Sequence, residues 1–445
     1  MDRNQAESIV QRTLSHSDAA ETEVLLSHGV ENLTRFSDNA ISQNVARTLS
    51  TLTVKVHLGR KVGRATTDQF NDESLKRAID MAKKIAEQQK DDPELLPLAG
   101  ASEFAEIRAY YENTAAYSPE ERAAAIASLV AEITDHNASS AGIFATEAES
   151  IALGNSNGLF GYYRSTSATL SATVEANGVS GWAEEIHRDV SKIDVSIVAR
   201  TALRKALDAR NPIPIDPGEY TVVLEPAAVA DLLMFMGYEG FGGLNYVEGR
   251  SFVSNKIGQK ILGENVTIVD DAYSELNPGL PFDFEGQPRQ RLVLIEKGVA
   301  RNVVHDRLTA ARAGTTTTGH SLPQPNSSGP LPFNLMLEPG NSSLKEMIES
   351  TEKGILVTHF HYTNVIDPIR LTLTGMTRDG TFLIENGRIT KPVRNMRFTD
   401  SIVDAFNQIE LISKDRKTAE AFFAGSYVVP ALKISKFNFS SASEF

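Results

Sequence analysis

Residues 218–262 read GEYTVVLEPAAVADLLMFMGYEGFGGLNYVEGRSFVSNKIGQKIL, and this stretch determines how the rest of the chain is interpreted. The β-branched run at residues 221–224 predicts a short buried strand. Pro226 then opens a helix, since a proline at the first helical position sacrifices no hydrogen bond. Residues 227–236 are almost wholly apolar, which indicates a helix buried on most sides rather than an amphipathic one. Four glycines follow it, at positions 237, 240, 242 and 243.

The length and composition indicate a globular protein of two domains. The chain has 445 residues, of which 41% are hydrophobic and 23% are charged. Residues 211–218 contain three prolines and a glycine, a combination that cannot sit in a regular element. We place the domain boundary there, which gives an N-terminal domain of residues 1–212 and a C-terminal domain of residues 213–445.

The two halves differ in their predicted elements. In the first half, strands are paired with long helices, the clearest of which opens with a capping box at Ser118 and Glu121, and this order indicates an α+β fold. The second half is richer in strands and turns, and we expect a β-rich domain with a barrel-like core. Within it, residues 374–387 predict a hairpin with two turns, and residues 310–340 predict a long irregular loop.

The charge and the missing residue types exclude several functions. The formal net charge of −13 argues against a nucleic-acid partner, which needs a basic face. The absence of cysteine excludes disulfides, thiolate catalysis and cysteine-bound zinc. The first residues, MDRNQAESIV, lack the apolar core of a signal peptide, and no apolar run reaches about 18 residues. We therefore expect a cytoplasmic protein without a membrane span.

Short motifs in a fixed order run through nearly the whole chain. Residues 34–41 follow the pattern T-R-F-x-x-N-x-I, residues 283–286 form an acidic loop, and residues 382–393 follow F-L-I-E-N-G-x-I-x-K-P-V. Residues 428–432 read VVPAL near the end of the chain. Together with the strand that leads into a buried helix, these motifs resemble the TldD/PmbA family of peptidases and peptidase partners.

The resemblance implies where the chemistry of an active member would lie. In the active half of the family, the buried helix carries an H-E-x-x-x-H motif, whose histidines bind zinc and whose glutamate polarises the zinc-bound water. Histidines spaced in this way share a face only where the helix turn is locally widened. Counted from the strand, the three motif positions fall on Met234, Phe235 and Glu239 in this chain. A thioether, a phenyl ring and one carboxylate cannot make a zinc hydrolase site, so the resemblance is to the non-catalytic PmbA or TldE type of subunit.

Other residues are candidates for a metal site or a peptide-binding surface. His359 and His361 are two residues apart on a predicted strand, so both imidazoles could reach one ion, with Glu239 or Asp367 as a third ligand. The same pair could equally line a groove or hydrogen-bond its neighbours. We also expect Glu239, Arg250, His359, His361, Arg378 and Asp379 to face a peptide or a partner, although Arg378 and Asp379 also fit the turn chemistry of a hairpin.

Three functions are compatible with these residues. The first is a catalytically silent subunit without a cofactor of its own, which pairs with a zinc-bearing TldD-type partner and helps to enclose unfolded or extended peptides. The second is a metallopeptidase with a relocated site at His359 and His361. The third is a homodimeric protein that binds peptides without a hydrolytic partner. We do not expect a Ser-His-Asp hydrolase.

Overall fold

The computed structural model describes residues 1–421 and 425–442. Two β-sheets organise them: a six-stranded sheet built from residues 21–187 and an eleven-stranded sheet built from residues 218–442. The predicted α+β class and the β-rich second half are therefore confirmed. The expected boundary at residues 212–213 falls between the two sheets, and its position stays a prediction. Among the described residues, every helix is too short or too polar to span a lipid bilayer.

The first sheet is antiparallel, and helices cover one of its faces. Its strands are β1 (Glu21–Ser37), β2 (Ala40–Leu58), β3 (Lys61–Thr67), β4 (Ser139–Asn155), β5 (Phe160–Ala176) and β6 (Val179–His187), in the spatial order β3-β2-β1-β4-β5-β6. The helices are α1 (Arg3–Ser15), α2 (Asp72–Gln88), α3 (Glu112–Ala115), α4 (Pro119–Thr134) and α5 (Val195–Asp208). Alternate strand residues such as Leu26, Leu52 and Leu170 pack beneath these helices. On the opposite face, Leu153 and Tyr163 pack with Phe282 from the second half of the chain.

Helix α4 begins where the sequence predicts. The Glu121 N–H donates to the Ser118 hydroxyl at 3.2 Å, and the Ser118 N–H donates to the Glu121 carboxylate at 2.7 Å. This reciprocal pair satisfies two backbone groups that the start of a helix would otherwise leave unpaired.

The second sheet closes on itself. Its strands are β7 (Gly218–Leu224), β8 (Ile268–Asp270), β9 (Leu292–Glu296), β10 (Val299–Ala300), β11 (Leu335–Leu337), β12 (Lys353–Asp367), β13 (Thr372–Glu385), β14 (Arg388–Pro392), β15 (Met396–Ser401), β16 (Ile409–Glu420) and β17 (Ser426–Ala442). β7, β12, β13, β15 and β17 form a ring, because each pairs with the next and β17 pairs again with β7. The barrel-like core is therefore confirmed. The accompanying helices are α6 (Pro226–Phe235), α7 (Gly243–Val247), α8 (Arg307–Ala313), α9 (Leu344–Glu349) and α10 (Ile402–Asn407).

Helix α6 has the start and the burial that its sequence predicts. Glu225 occupies the N-cap position without a side-chain capping hydrogen bond, Pro226 is the first helical residue, and residues 228–235 are all buried. The chain then widens into a single π turn at Met236–Gly240, in which the Phe241 N–H donates to the Met236 carbonyl oxygen at 3.2 Å. Only glycine fits at the end of this turn, since a Cβ atom on Gly240 would lie 1.9 Å from the Phe252 ring.

The predicted hairpin at residues 374–387 has one turn rather than two. β13 runs without interruption through Arg378, Asp379 and Gly380, and the chain reverses only after Glu385. Asp379 and Gly380 oppose the single residue Thr358 of β12, with φ angles of 51° and 128°. An Asp-Gly pair supports positive φ in a β-bulge as readily as in a turn, which is why the sequence prediction of a second turn was wrong here.

The predicted loop at residues 310–340 also contains regular structure at both ends. Helix α8 extends to Ala313, and β11 occupies Leu335–Leu337. The residues between these elements are irregular, with bends but no helix or strand. This segment carries one wall of the candidate site described below.

A buried ionic cluster anchors that segment to the second sheet. The Asp270 carboxylate is fully buried and accepts hydrogen bonds from Arg289 at 2.5 Å, His320 at 2.9 Å and the Asn334 N–H at 2.8 Å. Burial alone would raise the pKa of Asp270, but the charge of Arg289 and the contacts of His320 outweigh burial and hold the pKa well below its usual range. The Asp270 cluster therefore contributes its full stabilisation at pH values above the ordinary aspartate pKa. This contribution is lost as the pH falls through the lowered pKa of Asp270.

We predict that Asp270→Asn lowers the free energy of unfolding by about 3–5 kcal/mol, because Arg289 would remain buried without a counter-charge. Urea denaturation at neutral pH measures this loss. Glu296→Gln is the matched control, since Glu296 pairs with Arg301 at the exposed surface and should contribute about 0.5 kcal/mol or less. Equal losses in the two variants would contradict the role of Asp270.

Candidate functional site

Two adjoining cavities follow one face of helix α6 and one strand, β12. Ala227 and Asp231 of α6 line the first cavity, and residues 234, 235 and 238, further along the same face, line the second. On β12, His359 and His361 line the first cavity, and residues 364–365 line the second. We refer to them as the polar cavity and the apolar cavity.

The polar cavity has a volume of about 370 Å³ and lies between the two sheets. Its lining residues are Thr173, Trp182, Glu184, Ala227, Asp231, His359, Phe360, His361, Arg378, Asp379, Glu420 and Ala421. The first sheet therefore supplies three of its side chains, and the second sheet with α6 supplies the others.

His359 is held in place from two sides. Its Nε2 atom lies 2.9 Å from the Asp379 carboxylate, and its ring packs against Trp182 with 4.6 Å between the ring centres. The Ser180 hydroxyl of β6 donates to the other oxygen of Asp379 at 2.5 Å, which links the two sheets. Burial alone would raise the pKa of Asp379, but hydrogen bonds from His359 and Ser180 outweigh burial, and the pKa is lowered.

Carboxyl groups dominate the charge of the polar cavity. Burial, followed by the negative charge of Glu420, raises the pKa of Glu184 to about 8. Burial also raises the pKa of Glu420, whose backbone N–H donates to Glu184 at 3.2 Å. Asp231 is buried in the same wall. At neutral pH, Glu184 therefore carries a proton.

The residues of the predicted relocated metal site are only partly brought together. His359 and His361 line the same cavity, as their spacing predicts, whereas neither Glu239 nor Asp367 is part of its described lining. Within residues 1–421 and 425–442, no three His, Asp or Glu side chains are grouped as metal ligands. A metal at His359 and His361 stays a prediction.

The apolar cavity is larger, at about 630 Å³. Its lining residues are Met234, Phe235, Tyr238, Glu239, Leu331, Pro332, Phe333, Asn364, Val365, Gly425 and Tyr427. The three residues that the sequence analysis assigns to the motif positions therefore line one cavity. The π turn explains how Met234 and Glu239 share it, since residues five apart on a regular α-helix point about 140° away from each other.

Glu239 is the only acidic side chain in the described lining of the apolar cavity. It is half-buried, and burial raises its pKa, while the positive charge of Arg250 acts in the opposite direction. Arg250 itself is exposed and pairs with Glu248. In the described part of the chain, the Glu239 carboxylate makes no hydrogen bond or ion pair.

Sequence reasoning missed the residues that other elements bring to the cavities. Trp182 and Glu184 come from β6, and residues 331–333 come from the irregular segment before β11. No spacing in the sequence relates these residues to α6, because strand pairing and loop anchoring bring them together.

Ser156 has the sequence spacing of a hydrolase nucleophile, but it is not among the described lining residues of either cavity. Residues 154–158 read GNSNG, which has the G-x-S-x-G pattern, but they form the turn between β4 and β5 rather than a strand-to-helix turn. The Ser156 hydroxyl accepts a hydrogen bond from the Thr22 N–H at 3.0 Å. Its contacts are those of a structural turn.

We predict that Glu184→Gln stabilises the protein more at pH 9 than at pH 5. A carboxyl group with a raised folded pKa contributes stability that is complete below the unfolded value of 4.5 and is lost as the pH rises through about 8. Glutamine avoids this loss, so the gain at pH 9 should be on the order of 2 kcal/mol, measured by thermal and urea unfolding. The exposed Glu175→Gln is the control and should change little at either pH. A gain independent of pH would contradict the protonated state of Glu184.

The chain matches family models along almost its whole length. Residues 22–86 match the PmbA/TldA metallopeptidase domain 1, residues 68–210 match the central domain, and residues 217–441 match the C-terminal domain. The C-terminal match includes α6, β12 and both cavities except for the side chains contributed by the first sheet.

Individual relatives agree with these matches. The chain is 25% identical over 440 residues to the metalloprotease PmbA of Escherichia coli, covering 94% of this chain and 92% of that protein. It is 29% identical over 220 residues to a metalloprotease TldD homolog of Buchnera aphidicola, where the match covers 49% of this chain and only 43% of the relative. The crystal structure of TldE from Thermococcus kodakarensis has the same fold, with a TM-score of 0.88 and 22% identity over 97% of this chain and 99% of that one. The chain therefore belongs to the TldD/PmbA metallopeptidase family.

Proposed function

We propose that this chain is a non-catalytic, TldE-like subunit that pairs with a zinc-bearing TldD-type peptidase and encloses part of a chamber for unfolded or extended peptides. The observation that carries this proposal is the set of residues at the helix positions where an active relative would hold zinc. Here Met234, Phe235 and Glu239 line one cavity. The pair would act in the cytoplasm.

The chemistry of these side chains does not fit zinc. Zinc in proteins is bound by imidazole nitrogen, thiolate sulfur and carboxylate oxygen. Among the three residues, only Glu239 offers such an atom, Met234 offers a thioether, and Phe235 offers none. The cavity is therefore suited to apolar contacts, and zinc and its activated water would belong to the partner.

The groove beside α6 supports a role in holding extended peptides. β12 pairs with β7 only as far as Val357, and beyond it no strand lies on that side of β12 in the described residues. Asn364 and Val365 of β12, which line the apolar cavity, therefore have no strand partner on that side among the described residues. Pairing with such an edge depends on the peptide backbone, so it places little constraint on the peptide sequence.

We predict that this chain hydrolyses peptides only together with a TldD-type partner. The two proteins, purified separately and mixed with zinc, should co-elute in size-exclusion chromatography and cleave an unfolded peptide, and each protein alone should be inactive. Cleavage by this chain alone, unaffected by substitution of Met234 or Glu239, would contradict the proposal.

The same experiments separate the other functions. If His359 and His361 formed a relocated metal site, replacing both with alanine would abolish activity of the isolated chain. If the chain were a homodimeric peptide-binding protein, a pull-down from native extract would recover no TldD-type chain. Recovery of a TldD-type chain supports the heteromeric subunit.

A further inference from the structure

We propose that the apolar cavity binds the N-terminal residue of a peptide, which places an apolar side chain inside the cavity and the free ammonium group against Glu239. This assignment rests on the proposed function, because it names the end of an extended peptide that this subunit holds. The ligand is therefore expected to combine an apolar side chain with an ammonium group next to it.

The walls of the cavity fit an apolar side chain. Met234, Phe235 and Tyr427 are buried, with 7% or less of each exposed, and they give the cavity an apolar interior. Tyr238 and Phe333 are about half exposed, at 51% and 47%, and stand where the cavity meets solvent. A volume of about 630 Å³ is sufficient for one large side chain and the adjoining main chain.

The charge of the cavity selects a cation beside that side chain. Glu239 is half-buried in this apolar lining, and burial raises its pKa. Because Arg250 pairs with Glu248, the described residues leave the Glu239 carboxylate without a hydrogen-bonded partner. An ammonium group would restore the interactions that the carboxylate loses on leaving water.

The backbone geometry makes this combination possible. The π turn at Met236–Gly240 turns Glu239 onto the same face as Met234, so that one charge lies beside an otherwise apolar wall. Asn364 and Val365 of β12 also line the cavity, and among the described residues no strand pairs with them on the side of β7. A peptide whose first residue occupies the cavity can therefore continue along β12.

Binding by the full-length chain tests this assignment. The probe is a short peptide that begins with phenylalanine and carries a fluorophore at its C-terminus, and binding is measured by fluorescence anisotropy. We predict that the free amine binds about tenfold more tightly than the N-acetylated peptide, as one charge-assisted contact would provide. A peptide that begins with aspartate should bind at least about tenfold more weakly than the phenylalanine peptide, because its carboxylate would face Glu239 and the apolar wall.

Two variants test whether Glu239 is the residue that causes the preference for a free amine. Glu239→Gln keeps the size of the side chain and should bring the free and acetylated peptides to equal affinity. Glu248→Gln changes a neighbouring exposed carboxylate outside the lining and should leave the tenfold difference intact. Equal affinities in the unmodified chain, or a difference that survives Glu239→Gln, would overturn the assignment.

Three further outcomes separate this site from its alternatives. An acetylated peptide with an internal lysine that binds as tightly as the free amine would overturn the preference for an N-terminus. N-terminal selection by a chain that forms no complex with a TldD-type peptidase would support the site and contradict the proposed function. Complex formation without N-terminal selection would support the proposed function and contradict the site.

Discussion

The burial of helix α6 is the constraint on which the rest of the structure depends. The helix lies against the closed strand ring, and its residues from 228 to 235 are all buried. Because the helix is packed on most sides, its end cannot shift without disturbing neighbours such as Phe252 and Leu335, which lie close to Gly240 and Gly237. The widened turn at Met236–Gly240 is therefore fixed, and it places residues 234 and 239 in one cavity.

The two cavities along α6 have opposite chemistry. The polar cavity joins the two sheets, and its carboxyl groups form hydrogen bonds, Asp379 with His359 and Glu184 with the backbone N–H of Glu420. In its described lining, the apolar cavity carries a single carboxylate among aromatic and aliphatic side chains. One helix thus presents a region that favours polar groups and a region that favours an apolar side chain.

The sequence predicts local structure well where one residue type has one role. Pro226 fixed the start of α6, and its apolar run was correctly interpreted as a buried helix. Asp379 and Gly380 were misinterpreted, because positive φ serves both turns and bulges and only the pairing of β12 with β13 distinguishes them. Trp182 and residues 331–333 could not be predicted as site residues, since strand pairing and the buried Asp270 cluster bring them to α6 from distant parts of the chain.

The most direct test of the central claim is the zinc content of the purified chain, measured by plasma mass spectrometry after dialysis against a weak chelator. A thioether, a phenyl ring and one carboxylate at Met234, Phe235 and Glu239 predict far less than one zinc per chain. One tightly held zinc per chain would contradict the silent-subunit account, and its loss on replacing His359 and His361 would locate the metal in the polar cavity.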